Sequence, residues 1–527
     1  MKIKRLVSFL CVAVLIGSLC CATACGNKKE DNEQTLEIYC TDAGYGVEWV
    51  NTMIDMFKKE QWVKEKYPNL NVLFTSNDNQ TFASSRLDAG AKSNTFDLLF
   101  GMNMWGYAGA GSNSLDLTQV VYNTKVPNED VLYKDKMVES YLYSNQYVQG
   151  DDVSYYTTSW ASGMSAILYN EDLLTANKLT VPNTTDELIK LCADYKAKGT
   201  PTTNYSFLQS YDADYFNYLF PIWWAQYEGV QGYENFFNGI YNNTYSVRIF
   251  EQKGREYALE VFEALLNYDK GYLNPESKNQ KFVIAQTMFL DGESLMHVNG
   301  DWFINEMKDV IDTMGSKAPT IKTMRLPIIS KLGEKLGITD AELSALVTYV
   351  DKLNDGENPT LPTFSSSVGY TQEEVVDAVK EARSVVHSVG ANRHAVIPSY
   401  AKGKEVAADF LRFMATDKAL EVYMKTTDGS QLPFKYNVSQ TLYNSLSVTA
   451  QSRLDYLNGK NGTQTLIAPM FFPLVRYGEL KPFLYEKYYQ TFSLANNDKT
   501  PADFMRECFE TWDEKKFNAA LRAAGLQ

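Results

Sequence analysis

The strongest constraint on the fold is an alternation of strand-like and helix-like segments near the start of the chain. Leu36–Cys40 alternates like a half-buried strand, and Leu70–Phe74 and Phe96–Phe100 are two further apolar runs of strand length. The segments between them place apolar residues at helical spacing. Because a β-α-β-α-β order needs helical crossovers, it predicts a parallel sheet covered by helices on both faces.

Polar and aromatic residues follow two of these predicted strands. Asp42 and Tyr45 come after the first strand, and Asn103 and Trp105 come after the third. In open α/β sheets, ligands bind at the edge formed by the carboxyl ends of the strands. We therefore expect these four side chains at one edge of the first sheet, as candidates for a binding site.

A second candidate lies in the stretch Phe289–Phe303. Asp291-Gly292 is a turn signal, and Ser294–Val298 is an apolar run of strand length. Asn299-Gly300 ends that strand, so Asp301 and Trp302 are predicted at a strand end, where a helix opens. The alternative is structural: the indole packs in a core and the carboxylate stabilises a helix N-terminus.

The first 24 residues are predicted to be a lipoprotein signal peptide. Basic residues precede the apolar run Leu6–Leu19, which is short for a membrane span, and Ala22-Thr23-Ala24-Cys25 resembles a bacterial lipobox. We expect a lipid on Cys25 and a flexible tether over 25–34; an ordinary secretory peptide is the alternative, and Cys20 and Cys21 are rival acceptors.

Charge and cysteine content exclude several classes of function. The formal net charge is −14, and loss of Lys2, Lys4 and Arg5 with the leader would make it −17. This argues against nucleic acid or an anionic lipid surface as the main partner. Cys40, Cys192 and Cys508 are widely spaced, so we predict buried thiols with no disulfide framework, no metal site and no cofactor.

The middle of the chain contains further strand and helix signals. Ser159–Asn170 is strand-like and includes Trp160. Residues 205–265 are rich in aromatic residues, and of Trp223 and Trp224 we expect one in the core and one exposed. Residues 331–392 contain two helical patterns, 333–350 and 373–386, that are interpreted as an insertion packed on the outside, and residues 404–424 are predicted to form one long helix.

Several motifs taken together resemble family 1 extracellular solute-binding proteins, the carbohydrate-binding components of bacterial ABC importers. Each motif is weak alone, but their order and spacing are specific across most of the chain outside 331–390. Besides the lipobox they are Ile167–Asn170 with Pro182, Thr185–Leu188, Phe289–Glu293 with Asn299–Trp302, Arg325–Pro327, and Ala407–Leu411 with Gly429–Pro433.

The resemblance implies an α/β fold of the type II periplasmic-binding-protein class, with two lobes, each a mostly parallel sheet flanked by helices, and a ligand cleft between them. The lobes of that family are discontinuous. The corresponding boundaries here are 35–157 plus about 393–427 for lobe 1, 158–330 plus about 428–527 for lobe 2, and 331–392 for the helical insertion.

The resemblance also implies a function. The protein is expected to be a monomer without enzymatic activity, held by a lipid on the outer face of the cell membrane. It is expected to capture a carbohydrate, specifically an oligosaccharide, by closure of its lobes. It would then deliver the sugar to the transmembrane permease subunits. Alternatives are a non-sugar solute, such as a peptide or polyamine, and a lipid-anchored glycoside hydrolase. The sequence contains neither GxSxG nor GxxxxGK[ST], which argues against those enzyme classes.

A sugar site needs flat aromatic faces for C–H groups and polar side chains for hydroxyl groups. Trp302 matches the tryptophan that stacks on sugar in the family's Gly-x-Trp motif, so it is the principal candidate. Arg393 and His394, near a predicted crossing between lobes, are secondary candidates. The full set of predicted ligand-binding residues is Asp42, Tyr45, Asn103, Trp105, Trp160, Trp223, Trp224, Asp301 and Trp302.

Overall fold

The computed structural model describes residues 34–527, except 201, 212–214, 366–368, 390–391, 461, 479–491 and 493–498, and except the side chains of 508 and 509. The predicted signal peptide and Cys25 lie outside the described residues, as does the side chain of Cys508. Within the described part of the chain, no helix is both long and apolar enough to cross a membrane.

The described strands, in chain order, are β1 (Gln34–Thr41), β2 (Leu70–Asn77), β3 (Leu98–Met102), β4 (Gln146–Gln149), β5 (Asp152–Tyr155), β6 (Thr158–Ser159), β7 (Met164–Asn170), β8 (Ile240–Tyr241), β9 (Thr244–Tyr245), β10 (Met296–Gly300), β11 (Ile321–Met324), β12 (Val385–Ser388), β13 (Arg393–Val396) and β14 (Gln464–Thr465).

The described α-helices are α1 (Glu48–Lys59), α2 (Gln61–Lys66), α3 (Phe82–Ala89), α4 (Tyr133–Lys136), α5 (Glu139–Ser144), α6 (Glu171–Ala176), α7 (Thr185–Ala197), α8 (Phe220–Glu228), α9 (Val230–Asn238), α10 (Gly254–Leu266), α11 (Phe282–Leu290), α12 (Phe303–Glu306), α13 (Lys308–Met314), α14 (Lys331–Leu336), α15 (Asp340–Asn354), α16 (Gln372–Ser384), α17 (Lys404–Met414), α18 (Asp417–Thr426), α19 (Gln440–Ser445), α20 (Val448–Leu457), α21 (Pro473–Arg476), α22 (Pro501–Thr511) and α23 (Glu514–Ala523).

The first lobe is built on a sheet of order β2-β1-β3-β13-β6. β1 pairs in parallel with β2 and β3, which confirms the parallel β-α-β-α-β order predicted at the start of the chain. β3 reads as an unbroken apolar run because all five of its residues are buried. β13 is antiparallel to both β3 and β6, so the sheet is mixed where the later chain joins it.

The second lobe is built on a sheet of order β10-β7-β12-β14, with β11 also paired to β7. β10, β11 and β12 all run antiparallel to β7, and only the short β12–β14 pair is parallel. The expectation of a mostly parallel sheet is therefore wrong for this lobe. An apolar run predicts that a strand exists. Its direction relative to the neighbouring strand depends on which end of the sheet the preceding connection returns to.

Helices α14, α15 and α16 pack against the second sheet through a buried apolar face. Leu343 and Val347 of α15 and Val379 of α16 belong to the main hydrophobic core of this lobe. The helix predicted over 333–350 is two helices, because Gly337 takes a left-handed φ of 74° and Thr339 starts α15 with a capping box. The end of the predicted 373–386 helix is also corrected, since Val385–Ser388 is the strand β12.

The predicted long helix over 404–424 is likewise two helices, α17 and α18. Thr416 interrupts it because its hydroxyl accepts a hydrogen bond from the backbone N–H of Ala419, as an N-cap does. The apolar stripe continues across the break: Phe410 and Phe413 before it, and Leu420 after it, all pack in the core of the first lobe. Periodicity alone therefore could not reveal the interruption.

The chain crosses between the lobes more than once. It passes from β6 of the first sheet to β7 of the second, and it returns from β12 to β13. After α18 it crosses again: Phe434 still packs in the first core, whereas Thr449 of α20 donates to the carbonyl of Ile321 in β11 at 2.7 Å. Such crossings place the ends of both sheets opposite each other.

Candidate functional site

The two lobes meet along a buried surface that we call the interlobe seam, made of Gly44, Tyr45, Trp160, Asp301, Trp302 and Arg393. The turn after β1 supplies Gly44 and Tyr45, and the turn after β10 supplies Asp301 and Trp302. The Tyr45 hydroxyl donates to Asp301 Oδ1 at 2.8 Å in a buried hydrogen bond. The strand ends singled out in the sequence thus come into direct contact.

Asp301 makes hydrogen bonds to several parts of the chain. Besides the bond from Tyr45, Ser162 Oγ donates to its Oδ2 at 3.2 Å, and Ser430 Oγ donates to its backbone carbonyl at 2.8 Å. Burial raises the pKa of the Asp301 carboxyl, while nearby arginines and these hydroxyl donors work against that rise. The residue therefore fixes the position of the second lobe against the first and against the crossing segments.

Trp302 belongs to the second lobe but packs into the core of the first, and only 3% of it is exposed. Its ring stands edge-on to Tyr215, with the ring centroids 6.0 Å apart. The six-membered ring also lies over Gly300, where an added Cβ would come within 2.1 Å of Trp302 Cζ3. Glycine is thus required at this strand end by the approach of the indole.

Arg393 completes the seam from the first residue of β13. Its guanidinium lies 5.2 Å from the ring centre of Tyr45 and 5.8 Å from that of Trp160. Trp160 is in turn held by a hydrogen bond from its Nε1 to the carbonyl of Gly101 at 3.1 Å, and it stacks on Trp49. The arginine and the two aromatic rings therefore form a rigid, well-packed unit.

Three predicted residues lie at the rim of this edge. Asp42 and Asn103 are exposed, and Trp105 is 38% exposed in the short 3-10 turn Met104–Tyr107. Asn103 takes a left-handed φ of 55°, and its backbone N–H donates to the carbonyl of Asn392 at 2.6 Å. They follow the strand ends of the same sheet as the seam residue Tyr45, and most of the surface of Trp105 is covered.

Trp223 and Trp224 are placed elsewhere. Both are fully buried in the core of the second lobe, so the expectation that one of them is exposed is wrong. Their indole nitrogens donate to Pro327 O and Gln252 Oε1 respectively, each at 3.2 Å. Helix α8 is buried on every side along Phe220–Gln226, which leaves no solvent face for either indole.

A second feature, which we call the interlobe cavity, has a volume of about 550 Å³ and is lined by none of the seam residues. It separates α5, whose residue Tyr141 packs in the first core, from α9, whose residue Tyr233 packs in the second. Its lining residues are Val138, Glu139, Ser140, Tyr143, Val230, Gln231, Glu234, Asn238, Glu381, Thr463, Gln464, Thr465, Ile467 and Phe472.

The cavity combines aromatic faces with carboxyl, amide and hydroxyl groups. The rings of Tyr143 and Phe472 have centroids 5.9 Å apart. Burial, together with the negative charge of Glu139, raises the pKa of Glu234. Sequence reasoning did not identify this site, because Tyr143 and Phe472 are far apart in the chain and neither stands in a recognisable motif.

Among the described residues, no group of three or more His, Cys, Asp or Glu side chains is arranged to hold a metal ion. The thiols of Cys40 and Cys192 are buried, as predicted. His297 is also buried; its Nδ1 lies 2.6 Å from the carbonyl of Leu208, and burial lowers its pKa to about 4. The burial of Cys40, Cys192 and His297 indicates that these side chains pack in the interior of the protein.

The sequence matches one family model, that of the bacterial extracellular solute-binding proteins, over residues 52–449. The match covers well over half of the chain and includes strands of both sheets, from β2 to β13, together with Trp160, Asp301, Trp302 and Arg393 of the seam. No curated protein matches the sequence.

Solved structures share the fold at low sequence identity. A probable secreted solute-binding lipoprotein from Streptomyces coelicolor is 15% identical, covers 92% of this chain and 99% of its own, and superposes with a TM-score of 0.55. The sugar-binding protein MalE from Xanthomonas citri is 14% identical, with 93% and 98% coverage and a TM-score of 0.54. A chitin oligosaccharide binding protein is 13% identical, with 93% and 99% coverage and a TM-score of 0.53.

Proposed function

The chain belongs to the bacterial extracellular solute-binding proteins, and we propose that its solute is a carbohydrate, specifically an oligosaccharide. The two lobes capture the sugar by closing on it, and the loaded protein delivers it to the transmembrane permease subunits of an ABC importer. The protein acts as a monomer held on the outer face of the membrane by the lipid on Cys25.

The observation that supports a carbohydrate best is the composition of the surface between the lobes. Trp302 and Tyr45 are aromatic side chains contributed by opposite lobes, and Tyr143 and Phe472 line the interlobe cavity. Carboxyl, amide and hydroxyl groups surround these rings. Sugars need this combination, because an aromatic face covers their C–H groups while polar side chains bind their hydroxyl groups.

The proposal also draws on what related proteins are named for. The structure from Xanthomonas citri is named a sugar-binding protein, and another is named for chitin oligosaccharide. The family and the solved structures that this chain resembles are named as binding proteins rather than enzymes.

A glycan array probed with the leaderless protein tests the proposal. We expect selective binding of one group of oligosaccharides, with the bound sugar recovered intact after long incubation. Binding of peptides or polyamines with no glycan bound would contradict a carbohydrate solute, and hydrolysis of the bound glycan would reassign the protein as an enzyme.

We predict that the cognate glycan brings the lobes together. A solute that contacts both lobes binds the closed state more tightly than the open state, because only the closed state offers both sets of contacts. It therefore shifts the population toward closure. Small-angle scattering should give a smaller radius of gyration at saturating glycan, and a glycan that does not bind on the array should leave the curve unchanged. An unchanged curve with saturating cognate glycan would contradict capture by closure.

We predict that Cys25→Ser releases the protein from the membrane. Stable attachment needs two or more acyl chains, and the serine variant offers no thiol for the lipid. Cell fractionation should find this variant in the soluble extracytoplasmic fraction, whereas Cys21→Ser, at a rival acceptor, should remain membrane-bound. Membrane retention of Cys25→Ser together with palmitate labelling would place the lipid elsewhere.

A further inference from the structure

Arg393 has an unusual position for a buried charged residue. It is the first residue of β13, directly after the crossing from the second lobe, and its backbone carbonyl accepts a hydrogen bond from the N–H of Trp160 at 3.2 Å. Only 6% of the residue is exposed. Stacking on Tyr45 and Trp160 fixes the plane of the guanidinium at the surface where the lobes meet.

The N–H donors of this guanidinium make few hydrogen bonds to the described residues. Arg393 Nε has no partner there, and Nη1 has only a long contact of 3.5 Å with Asn392 Oδ1. No described carboxylate oxygen lies within 4 Å of it. Arg383, which is similarly buried, instead holds Asp351 in a fork, with Nε and Nη2 at 2.9 and 2.7 Å from its two oxygens.

Two carboxyl groups near Arg393 offset its charge without using its donors. Burial raises the pKa of Asp301 and that of Glu306, and the positive charge of Arg393 works against both rises. The oxygens of Asp301 already accept from Tyr45 and Ser162, and Glu306 Oε2 accepts from Gln286 at 2.9 Å. The charge of Arg393 therefore acts on two buried carboxyl groups that do not occupy its hydrogen-bond donors.

We infer that Arg393 binds an anionic group of the solute, a carboxylate or a sulfate on a sugar ring. This inference rests on the proposed carbohydrate function. A planar guanidinium matches either oxyanion with two parallel hydrogen bonds, and a buried cation gains most from such a partner. The site adjoins Trp302: the position of a Cβ on Gly44 would lie 3.2 Å from Trp302 Cβ and 3.5 Å from Arg393 Nη2.

The solute is thus an acidic oligosaccharide, with a uronic acid or sulfated residue seated between the guanidinium and the indole. A uronic acid is fully ionised at neutral pH, as an ordinary carboxyl group is. A neutral glycan of the same linkage would leave the Arg393 donors unfilled in the closed state, so it should bind more weakly.

The test compares matched ligands on the full leaderless protein by calorimetric titration. The probes are oligogalacturonides, their methyl esters, glucuronic-acid-containing oligosaccharides and sulfated glycans. We expect one acidic probe to bind about 10- to 100-fold more tightly than its neutral counterpart, the range given by charge-assisted hydrogen bonds. Preference for the uronide identifies a carboxylate, and preference for the sulfated glycan identifies a sulfate.

Arg393→Gln should remove that preference, because it should lower the affinity for the acidic ligand far more than the affinity for the neutral counterpart. Arg393→Lys keeps the charge but lacks the fork, so it should retain only part of the preference. Thermal melting of the unliganded Arg393→Gln protein checks its fold, because the variant also removes the positive charge that acts on the buried Asp301 and Glu306. Arg86→Gln is the matched control, since Arg86 stacks on Phe82 at 4.8 Å in the same lobe, away from the seam.

The outcomes separate this inference from the proposed function. Binding of neutral glycans without any preference for acidic ones would overturn the inference and leave the carbohydrate function standing. Equal loss of acidic and neutral ligands in Arg393→Gln would show that the arginine only supports the fold of the site, and would also overturn it. Binding of no glycan of either kind would overturn the proposed function itself.

Discussion

Trp302→Ala should lower the affinity for the cognate glycan by about 30- to 150-fold, a loss of about 2–3 kcal/mol. The indole lies at the junction of the lobes, edge-on to Tyr215 and adjacent to Arg393. In the proposed capture by closure, an open state would present its face to a sugar, whose polarised C–H groups are attracted to an aromatic ring. Trp302→Phe should recover part of the loss, because a smaller ring still stacks.

Trp224→Ala is the matched control for that variant. Trp224 is fully buried within the second lobe, so its loss should cost about 3–5 kcal/mol of folding free energy and leave affinity unchanged in the folded fraction. Calorimetric titration and thermal melting of both variants distinguish the two roles. If Trp302→Ala binds the glycan as the wild type does but melts as low as Trp224→Ala, the indole is a core residue and the platform assignment is wrong.

Asp351→Ala should lower the free energy of unfolding by about 3–5 kcal/mol, the cost of breaking a buried ion pair on one side. Asp351 lies on α15 and binds two arginines: Arg325 Nη1 donates to its Oδ1 at 2.6 Å, and Arg383 holds it through the fork described above. Removing the carboxylate leaves two largely buried guanidinium groups without their anionic partner. Denaturant unfolding measures the difference.

The loss from Asp351→Ala should depend on pH. Burial by itself would raise the pKa of Asp351, but the two arginines outweigh it and lower the pKa below the ordinary aspartate value. A lowered pKa gives stability that is present above about pH 4 and is lost as the pH falls through the folded-state pKa. Wild type and Asp351→Ala should therefore converge in acid.

Asp312→Ala is the control for that prediction, because the ion pair from Lys308 to Asp312 is exposed on both sides. Its loss should change the free energy of unfolding by about 0–1 kcal/mol. A difference between wild type and Asp351→Ala that is as large at pH 3 as at pH 7 would show that lost packing, not the ion pair, sets the cost.

The parts of the fold that depend on local patterns were predictable from the sequence. The β1–β3 order follows from apolar runs of strand length with helical spacing between them. The breaks at Gly337 and Thr416 were missed because the apolar stripe continues past them. Strand direction in the second sheet depends on tertiary connections, which a local pattern does not contain.

For the candidate site, the rule that binding residues follow the carboxyl ends of strands correctly placed Tyr45 and Asp301 at sheet edges. It did not show that these two side chains form a hydrogen bond with each other across the lobes. The environment of Arg393 depends on Tyr45 and Trp160, which are distant in the chain, so the sequence alone marked it only as a secondary candidate. Burial of both Trp223 and Trp224 follows from a helix surrounded by apolar neighbours, which adjacency in the sequence does not reveal.

The place of β13 in the first sheet has a consequence for how the chain folds. β13 lies between β3 and β6, yet the strands of the second lobe from β7 to β12 are synthesised before it. Until Arg393–Val396 emerges, β3 and β6 present unpaired edges. Closing so long a loop is entropically costly and slows folding. The first lobe therefore cannot complete its sheet as an independent N-terminal unit, because that sheet waits for a strand that follows β7–β12 of the second lobe.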